Sequence, residues 1–324
     1  MSANSKYYSE NVTNVKSVEF TMFSNEEVKN YSAVKNDPFG INLYESYDGY
    51  EPKKGGLVDL RLGTCDIHLN CTTCGLNSME CTGHFGHTTL AQPVFHYGFL
   101  MHLKNVLQCI CLRCSHILID KTETVLNNIS NYSGKSRFKY IKDLCKKVIY
   151  CYNCGGPVPK VKREVKDSGT IKIILERDTM ASTTDEKTGL IIETKKKIRE
   201  FLSPQDCYDI LRNVSEVDNY LLGFNPKKGH LEDLIIKNFP IPPVIIRPTA
   251  KIDFLASSTM EDSMTLKIAD IIKTNIRIRK QLNKISMTND GTELNQDNLN
   301  LLQYHIATYF ENESVSLPRS EFKT

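Results

Sequence analysis

Residues 71–87 read CTTCGLNSMECTGHFGH, and the spacing within that stretch governs the reading of the whole chain. Cys71 and Cys74 stand two residues apart, and so do Cys81 and His84. Each pair has the spacing of a knuckle, a tight turn that aims two ligand atoms at one point. Four such ligands complete a zinc tetrahedron and leave no position for a reacting water. A structural site, not a hydrolytic one, is expected. His87 lies near enough to replace His84, but the repeated two-residue gap favours His84.

Outward from that stretch, Cys111-x2-Cys114 and Cys151-x2-Cys154 form two more knuckles, the second followed by Gly155 and Gly156. Together they supply a second complete set, closing a long loop that should melt when the metal is lost. Spacing alone also permits a crossed pairing of the four knuckles. Cys109 or Cys145 could each stand in for a ligand; with Cys65 and Cys207 they otherwise read as ordinary thiols. No cysteine has a legible base or oxyanion nest beside it, so no catalytic residue is assigned.

The surrounding composition fits this reading. A chain of 324 residues, 40% hydrophobic and 24% charged, can bury a sizeable core in two or three domains. Its 11 cysteines are an odd number, which an all-disulfide scheme leaves unbalanced. The polar start, Met1 to Asn14, lacks the basic-then-apolar order of a signal peptide, and no apolar run spans a bilayer. An intracellular chain with no membrane partner is expected. The formal charge of +3 vanishes once seven ligand thiolates hold two divalent ions, so only the distribution of charge bears on nucleic acid.

That distribution is uneven. Lys135 to Arg177 holds twelve basic residues and four acidic ones. Lys135, Arg137, Lys139, Lys146, Lys147, Lys160, Lys162 and Arg163 are its candidate phosphate contacts, since a folded basic surface attracts backbone without reading bases. Arg277 and Lys280, three apart on one helical face, form a second candidate group beside Lys273, Arg279 and Lys284. Solvating an ordinary surface face is the competing role of both groups.

Periodicity predicts the elements around these sites. Asn25 to Asn30 is helix-like, and a helix through Met101, Val106 and Leu107 should deliver Cys111. Thr122 to Val148 reads as polar helix and Thr170 to Leu175 as strand, with Ser168-Gly169 as the turn before it. Ser203-Pro204-Gln205-Asp206 is a helix start running through Leu211 to Asn213, and a short helix is expected over Leu231 to Lys237. Pro240, Pro242, Pro243 and Pro248 should hold Ile241 to Ile246 extended. Apolar steps of three and four from Met264 to Ile285, a polar turn over Thr288 to Asn298, and Leu299 to Phe310 predict an antiparallel helical hairpin. Glu311 to Thr324 reads as an exposed tail, or as a chain cut before a further domain.

Several motifs in one order resemble the opening of the largest subunit of eukaryotic and archaeal RNA polymerases. They are Leu60-Arg61-Leu62-Gly63-Thr64, the knuckles with Phe85-Gly86-His87, Pro93-Val94-Phe95-His96, and Leu222-Gly223-Phe224-Asn225. Pro240-Ile241-Pro242-Pro243 through Arg247-Pro248, Leu266-Lys267-Ile268-Ala269-Asp270-Ile271, and Leu301 through Tyr309 continue the order. The resemblance covers roughly residues 55 to 312.

It implies an α+β fold, the polymerase clamp core and clamp head, with two structural zinc ions and a long helical hairpin. The implied divisions are an N-terminal extension (1–54), clamp core with the first zinc set (55–110), clamp head with the second (111–230), a proline-rich return (231–260), the hairpin (261–312) and a tail (313–324). The implied role is closure over DNA and the RNA–DNA hybrid, beside the second-largest subunit and other polymerase subunits. Initiation and elongation factors would dock on the hairpin. The family's magnesium-binding aspartate motif, bridge helix and trigger loop are not found; Asp59, Asp66, Asp253 and Asp262 do not read as a chelating cluster. Mg2+ would therefore bind only in the complete polymerase, with another chain or downstream sequence supplying the active centre of the nucleotidyltransferase. The short stretch after Ile192 and the modest hairpin tip resemble a compact variant of the kind large DNA viruses encode, placing the chain in a nucleus, viral factory or virion. A free-standing zinc-containing accessory factor that binds nucleic acid and a protein-docking adaptor are the competing expectations.

Overall fold

A computed structural model describes residues 15–18, 20–166, 169–184, 191–224, 229–251, 259–288, 294–313 and 317–320, a mixture of helices and strands. Ser168, Asn225, Pro226, Asp253, part of the hairpin tip and part of the tail lie outside the described residues. Helix α1 (Asn25–Tyr31) begins where Ser24 accepts from the Glu27 amide while the Glu27 carboxylate accepts from the Ser24 amide. This reciprocal box satisfies two amides that a helix start otherwise leaves unpaired. A small ribbon, β1 (Tyr47–Asp48) and β2 (Glu51–Pro52), turns at Gly49. Strand β3 (Gly86–Phe95) leads into α2 (Leu100–Leu107), as the apolar pattern before Cys111 requires. The polar segment 122–148 divides into α3 (Glu123–Ser130) and α4 (Gly134–Cys145), because Gly134 takes a φ of 52° that a continuous helix cannot hold.

Strands β4 (Lys160–Val165), β5 (Ile171–Thr184) and β6 (Ile191–Leu202) form an antiparallel sheet in that order, with Val161 opposite Leu175 and Ile173 opposite Leu202. The short stretch after Ile192, to which the sequence assigns no element, is thus an edge strand. Lysines and glutamates on an edge oppose further pairing, so the composition fits the position. Helix α5 (Pro204–Arg212) starts at Ser203 with Asp206 closing its box and ends at Asn213, as expected. Helix α6 (Glu216–Leu221) follows.

Two local expectations fail. The helix over 231–237 is a single 3-10 turn, Leu231–Leu234, before strand β7 (Ile235–Ile241). Ile235 and Ile236 pair with Phe95 and Val94 instead, and buried ladder contacts outweigh local propensity. Val244–Ile246 is likewise a 3-10 turn rather than extended chain. A second ribbon, β8 (Ala250–Lys251) with β9 (Thr259–Met260), precedes α7 (Ser263–Thr288) and α8 (Gln296–Phe310). Helix α8 starts three residues before Leu299 because the Asn295 side chain caps it.

The hairpin docks on β3 through side-chain amides. The β3–β7 register shifts between Thr89 and Val94, leaving part of β3 without ladder partners. Asn275 of α7 accepts from the Ala91 amide at 2.7 Å and donates to the Thr89 carbonyl, which Arg279 also reaches at 2.8 Å. Gln303 of α8 accepts from the Phe95 amide and donates to the Phe95 carbonyl, at 2.7 and 2.9 Å. The Ala91 amide, within the interrupted stretch, is thereby paired.

Two hydrophobic clusters lie on either side of this junction. One gathers α2, residues 109–119, Ile129, Ile141, Val161, Ile173 and Leu211. The other gathers Val34, Ile41, Leu57, Leu62, Phe239, Ile241 and the apolar stripes of α7 and α8. Within the α7–α8 region two buried cations have no carboxylate contact among the described residues. Arg247 donates to the carbonyls of Pro242 and Leu57 and to Thr265 Oγ1, and burial pulls its pKa down to about 10. Lys267 meets His305 Nδ1 at 3.2 Å and donates to Ser320 Oγ at 3.0 Å. The tail is therefore not wholly exposed: Leu317 is buried in the first cluster and Ser320 completes the Lys267 contacts. No described helix is long and apolar enough to cross a membrane.

Candidate metal centres and basic surfaces

Three of the four knuckles share one backbone form. The Cys71, Cys111 and Cys151 amides donate to the carbonyls of Leu76, His116 and Gly156, five residues on. The amides of Gly75, Ser115 and Gly155 return to the carbonyls of those same cysteines. These returning residues have φ of 76°, 58° and 64°, the left-handed conformation that turns the chain back under the sulfurs. Glycine suits that position, and Ser115 is the one non-glycine residue with positive φ among those described.

The fourth knuckle is built differently. Between Cys81 and His84, Gly83 has a φ of 81°, and its amide points at Cys81 Sγ, 3.4 Å away. A Cβ on Gly83 would lie 2.6 Å from the Pro243 side chain, so only glycine permits this approach. The His84 amide donates to Leu62, while Thr72 and Thr73 bind the carbonyls of Leu60 and Arg61. Arg61 in turn is forked onto Asp59 and reaches Asp37. Burial raises the Asp59 pKa, but Arg61 and the amides of Gly55 and Arg61 outweigh it and hold the carboxyl below its ordinary range. The turn 60–63 is thus a charged brace beneath the first ligand set.

The structure gathers the predicted ligands. Cys71, Cys74, Cys81 and His84 form one group, and Cys111, Cys114, Cys151 and Cys154 another, with ligand atoms in each group all within 4.8 Å of one another. The crossed pairing is excluded by this arrangement. Cys81 Sγ lies 3.7 Å from His84 Nε2, and the Cys111–Cys154 and Cys114–Cys151 sulfurs are 3.6 Å apart. A tetrahedron with metal–sulfur bonds of about 2.3 Å has edges of about 3.8 Å, so these separations suit a shared ion. They are far too long for a disulfide.

The donor chemistry points the same way. Burial pushes Cys111 up to about 12, whereas amide and side-chain donors bring Cys114 down to about 6 despite burial. Four crowded sulfurs cannot all ionise unless a cation joins them. Both sets can hold a metal, and their chemistry suits zinc. Among the described residues these are the two groupings of three or more His, Cys, Asp or Glu able to do so.

The substitute ligands lie elsewhere. His87 is buried with Nδ1 against Ser32 Oγ at 2.8 Å. Cys109, Cys145 and Cys207 are core thiols, and Cys65 is exposed. The Cys109 side chain, and then burial, push the Cys145 thiol far above its usual range.

The basic candidates divide on inspection. Lys135, Arg137 and Lys139 lie on α4, Lys146 and Lys147 just after it, and Lys160, Lys162 and Arg163 on β4. All are exposed except the half-buried Arg137. The Arg137 guanidinium covers the Tyr220 ring at 4.7 Å and donates to its carbonyl. Lys146 pairs with Asp143 and Lys162 with the buried carboxylate of Glu176, both at 2.7 Å. Arg277 and Lys280 are exposed on α7. Arg279 leaves that group, because it faces inward over the Phe39 ring and β3. Sequence reasoning missed the Tyr150 and Tyr152 rings beside the second ligand set, both more than 60% exposed. Exposed aromatics flanking a ligand in an acid-free stretch were the available signal.

Comparisons with known proteins place these features. The family model for RNA polymerase Rpb1, domain 1, matches residues 12–324. The chain is also similar to DNA-directed RNA polymerase subunit 1 of Acanthamoeba polyphaga mimivirus, with 41% identity over 333 aligned positions. That alignment covers 100% of this chain and 22% of the mimivirus protein, so the chain spans about a fifth of that relative's length.

Proposed function

The chain belongs to the RNA polymerase Rpb1 domain 1 family, and from that premise we propose that it is the N-terminal clamp part of a largest polymerase subunit. Its two ligand sets hold structural zinc: one through Cys71, Cys74, Cys81 and His84, the other through Cys111, Cys114, Cys151 and Cys154. Residues 55–110 and 231–260 serve as clamp core, 111–230 as clamp head and 261–312 as the hairpin on which transcription factors dock, between an N-terminal extension and a tail. The clamp closes over DNA and the RNA–DNA hybrid, with phosphate attracted by Lys135, Lys139, Lys147, Lys160 and Arg163, and by Arg277 and Lys280 on α7. The magnesium-dependent chemistry belongs to the complete polymerase and its other chains.

The observation that carries this reading is the pair of complete tetrahedral donor sets within a match to one family. Closed donor sets serve as staples, and a lobe stapled this way can move as a stiff body. Elemental analysis of the purified chain should give two zinc ions per molecule. Affinity purification from its native source should bring down the chain or segment bearing the magnesium-binding aspartates. One zinc or none, or no co-purifying polymerase component, sinks the assignment.

A further inference from the structure

The surface around the second ligand set combines features that phosphate attraction alone does not require. Residues 144–163 contain five lysines and arginines and no carboxylate. A zinc ion held by four thiolates would carry a net charge of −2, and Arg113 stands between two of those ligands. Lys147 and Arg163 are exposed, whereas Lys146 is paired with Asp143 and Lys162 with Glu176, both at 2.7 Å.

Within this surface sit large exposed rings. Tyr150 and Tyr152 flank the buried ligand Cys151 and are 63% and 62% exposed, with Ile149 beside them at 70%. Exposing so much ring surface is costly unless something covers it. The backbone beneath is rigid, since Tyr150 bridges Pro157 and the Cys151 amide is tied to Gly156. Pro157 also lines a cleft of about 380 Å3 shared with Leu112, Arg113, Gly156, Pro159 and Arg177, the last paired at 3.5 Å with Glu200. A rigid mount, flat rings and an adjoining cationic cleft are what unstacked bases need, whereas duplex DNA offers its phosphates and keeps its base faces covered.

We infer that Tyr150 and Tyr152, with the Arg113–Arg177 cleft, form a stacking platform for single-stranded nucleic acid, bound without regard to sequence. This rests on the nucleic-acid part of the proposed function and specifies the form of the ligand. The rings take the bases, while Arg113 and Lys147 attract the phosphates.

The test uses the full chain loaded with zinc and fluorescein-labelled oligothymidylate, oligouridylate and a mixed-sequence duplex, each of about 15 nucleotides or base pairs, a length near the upper range of single-strand sites. Anisotropy should show that Tyr150→Ala with Tyr152→Ala weakens both single strands roughly 10- to 100-fold and leaves the duplex unchanged. Tyr150→Phe with Tyr152→Phe should keep wild-type affinity. The slope of affinity against salt should be unchanged in the alanine variant and shallower in Lys147→Gln. Equal effects on thymidylate and uridylate assign the platform to either polymer; loss of one alone narrows it to DNA or RNA.

Single-strand binding by the alanine variant within about twofold of wild type overturns the platform while the duplex-binding reading survives. Wild-type chain that binds neither form overturns both and leaves a protein partner for this surface. Should the alanine variant lose zinc, photo-crosslinking of wild-type chain to iodouridine-containing oligonucleotide decides. Adducts at Tyr150 or Tyr152 support the platform, and adducts only elsewhere overturn it.

Discussion

The set at Cys71, Cys74, Cys81 and His84 closes a short segment at the margin of its core, whereas the set at Cys111, Cys114, Cys151 and Cys154 is part of one. Between residues 63 and 84 the buried hydrophobic side chains are the ligands Cys71 and Cys81 themselves. Between 109 and 161 they include Ile110, Ile117, Leu118, Ile119, Ile129 and Ile141 as well as Cys111 and Cys151. The second loop is also about three times longer, which adds about 1 kcal/mol of closure entropy to what its ion stabilises. The region around α7 and α8 relies on other pins, the cations Arg247 and Lys267 held by neutral oxygens and a ring nitrogen. One lobe gathers thiols whose crowding suits a cation, the other buries cationic side chains whose donors satisfy neutral acceptors.

The contrast breaks most readily at the second set. Cys151→Ser should destabilise the chain by about 5 kcal/mol or more, since structural zinc binding and local folding are one equilibrium. Hydrogen exchange should accelerate throughout residues 109–161 and little at 57–62, while Cys65→Ser behaves as wild type. Uniform acceleration in both regions would erase the distinction between the lobes.

Arg247→Ala should come next, at about 3 kcal/mol by denaturant unfolding, because the carbonyls of Leu57 and Pro242 lose a buried donor and a cavity opens. Arg247→Lys should recover only part of this, as one ammonium cannot reach all three acceptors in the guanidinium's fork. Full recovery would argue that charge, rather than geometry, pins the lobe.

The Lys267 pin has a pH signature. Burial pushes its pKa down to about 8 from an ordinary value of 10.5, with Asp270 opposing the shift. Between those values the unfolded chain binds the proton and the folded chain does not, so stability should rise with pH across the window. Relative to Lys267→Met, the wild type should gain on the order of 2 kcal/mol between pH 8 and pH 10.5. His305, lowered to about 4 by burial and then by Lys267, adds a rise in the same direction between pH 4 and 6.5. Parallel pH profiles for wild type and Lys267→Met in the alkaline window would remove Lys267 from the account. The smallest global effect belongs to Cys81→Ser, about 1–2 kcal/mol, with proteolysis expected only at residues 63–84. Cleavage spreading to α7 would make the first set as central as the second.

The contrast also marks what sequence could disclose. Knuckle spacing is local, so the four ligand pairs and the helix start at Ser203–Asp206 were legible, while the pairing of knuckles into two sets was left open by spacing. Strand β6 was not, because its Lys195-Lys196-Lys197 run resembles solvated linker until β5 lies alongside it. Ile235 and Ile236 exchanged helix for strand through partners about 140 residues away, Phe95 and Val94. Arg279 looked like its exposed neighbours, since nothing local reveals that Phe39 and Thr89 wait on its side of the helix. The left-handed Ser115 was hidden for a related reason: glycine marks that position at 75 and 155 but not at 115.

Helix α8 joins what the two metal sets keep apart. Leu302 and Ile306 belong to one cluster, Ala307 to the other, and Gln303 is forked onto β3 at their border. The helix is a common axle. A load applied near Asn295 would travel along its four turns and reach both lobes as a single torque, without a slack joint between them. A protein that grips the outer end of this hairpin would thereby hold a handle on a stretch of polypeptide far larger than the footprint it covers.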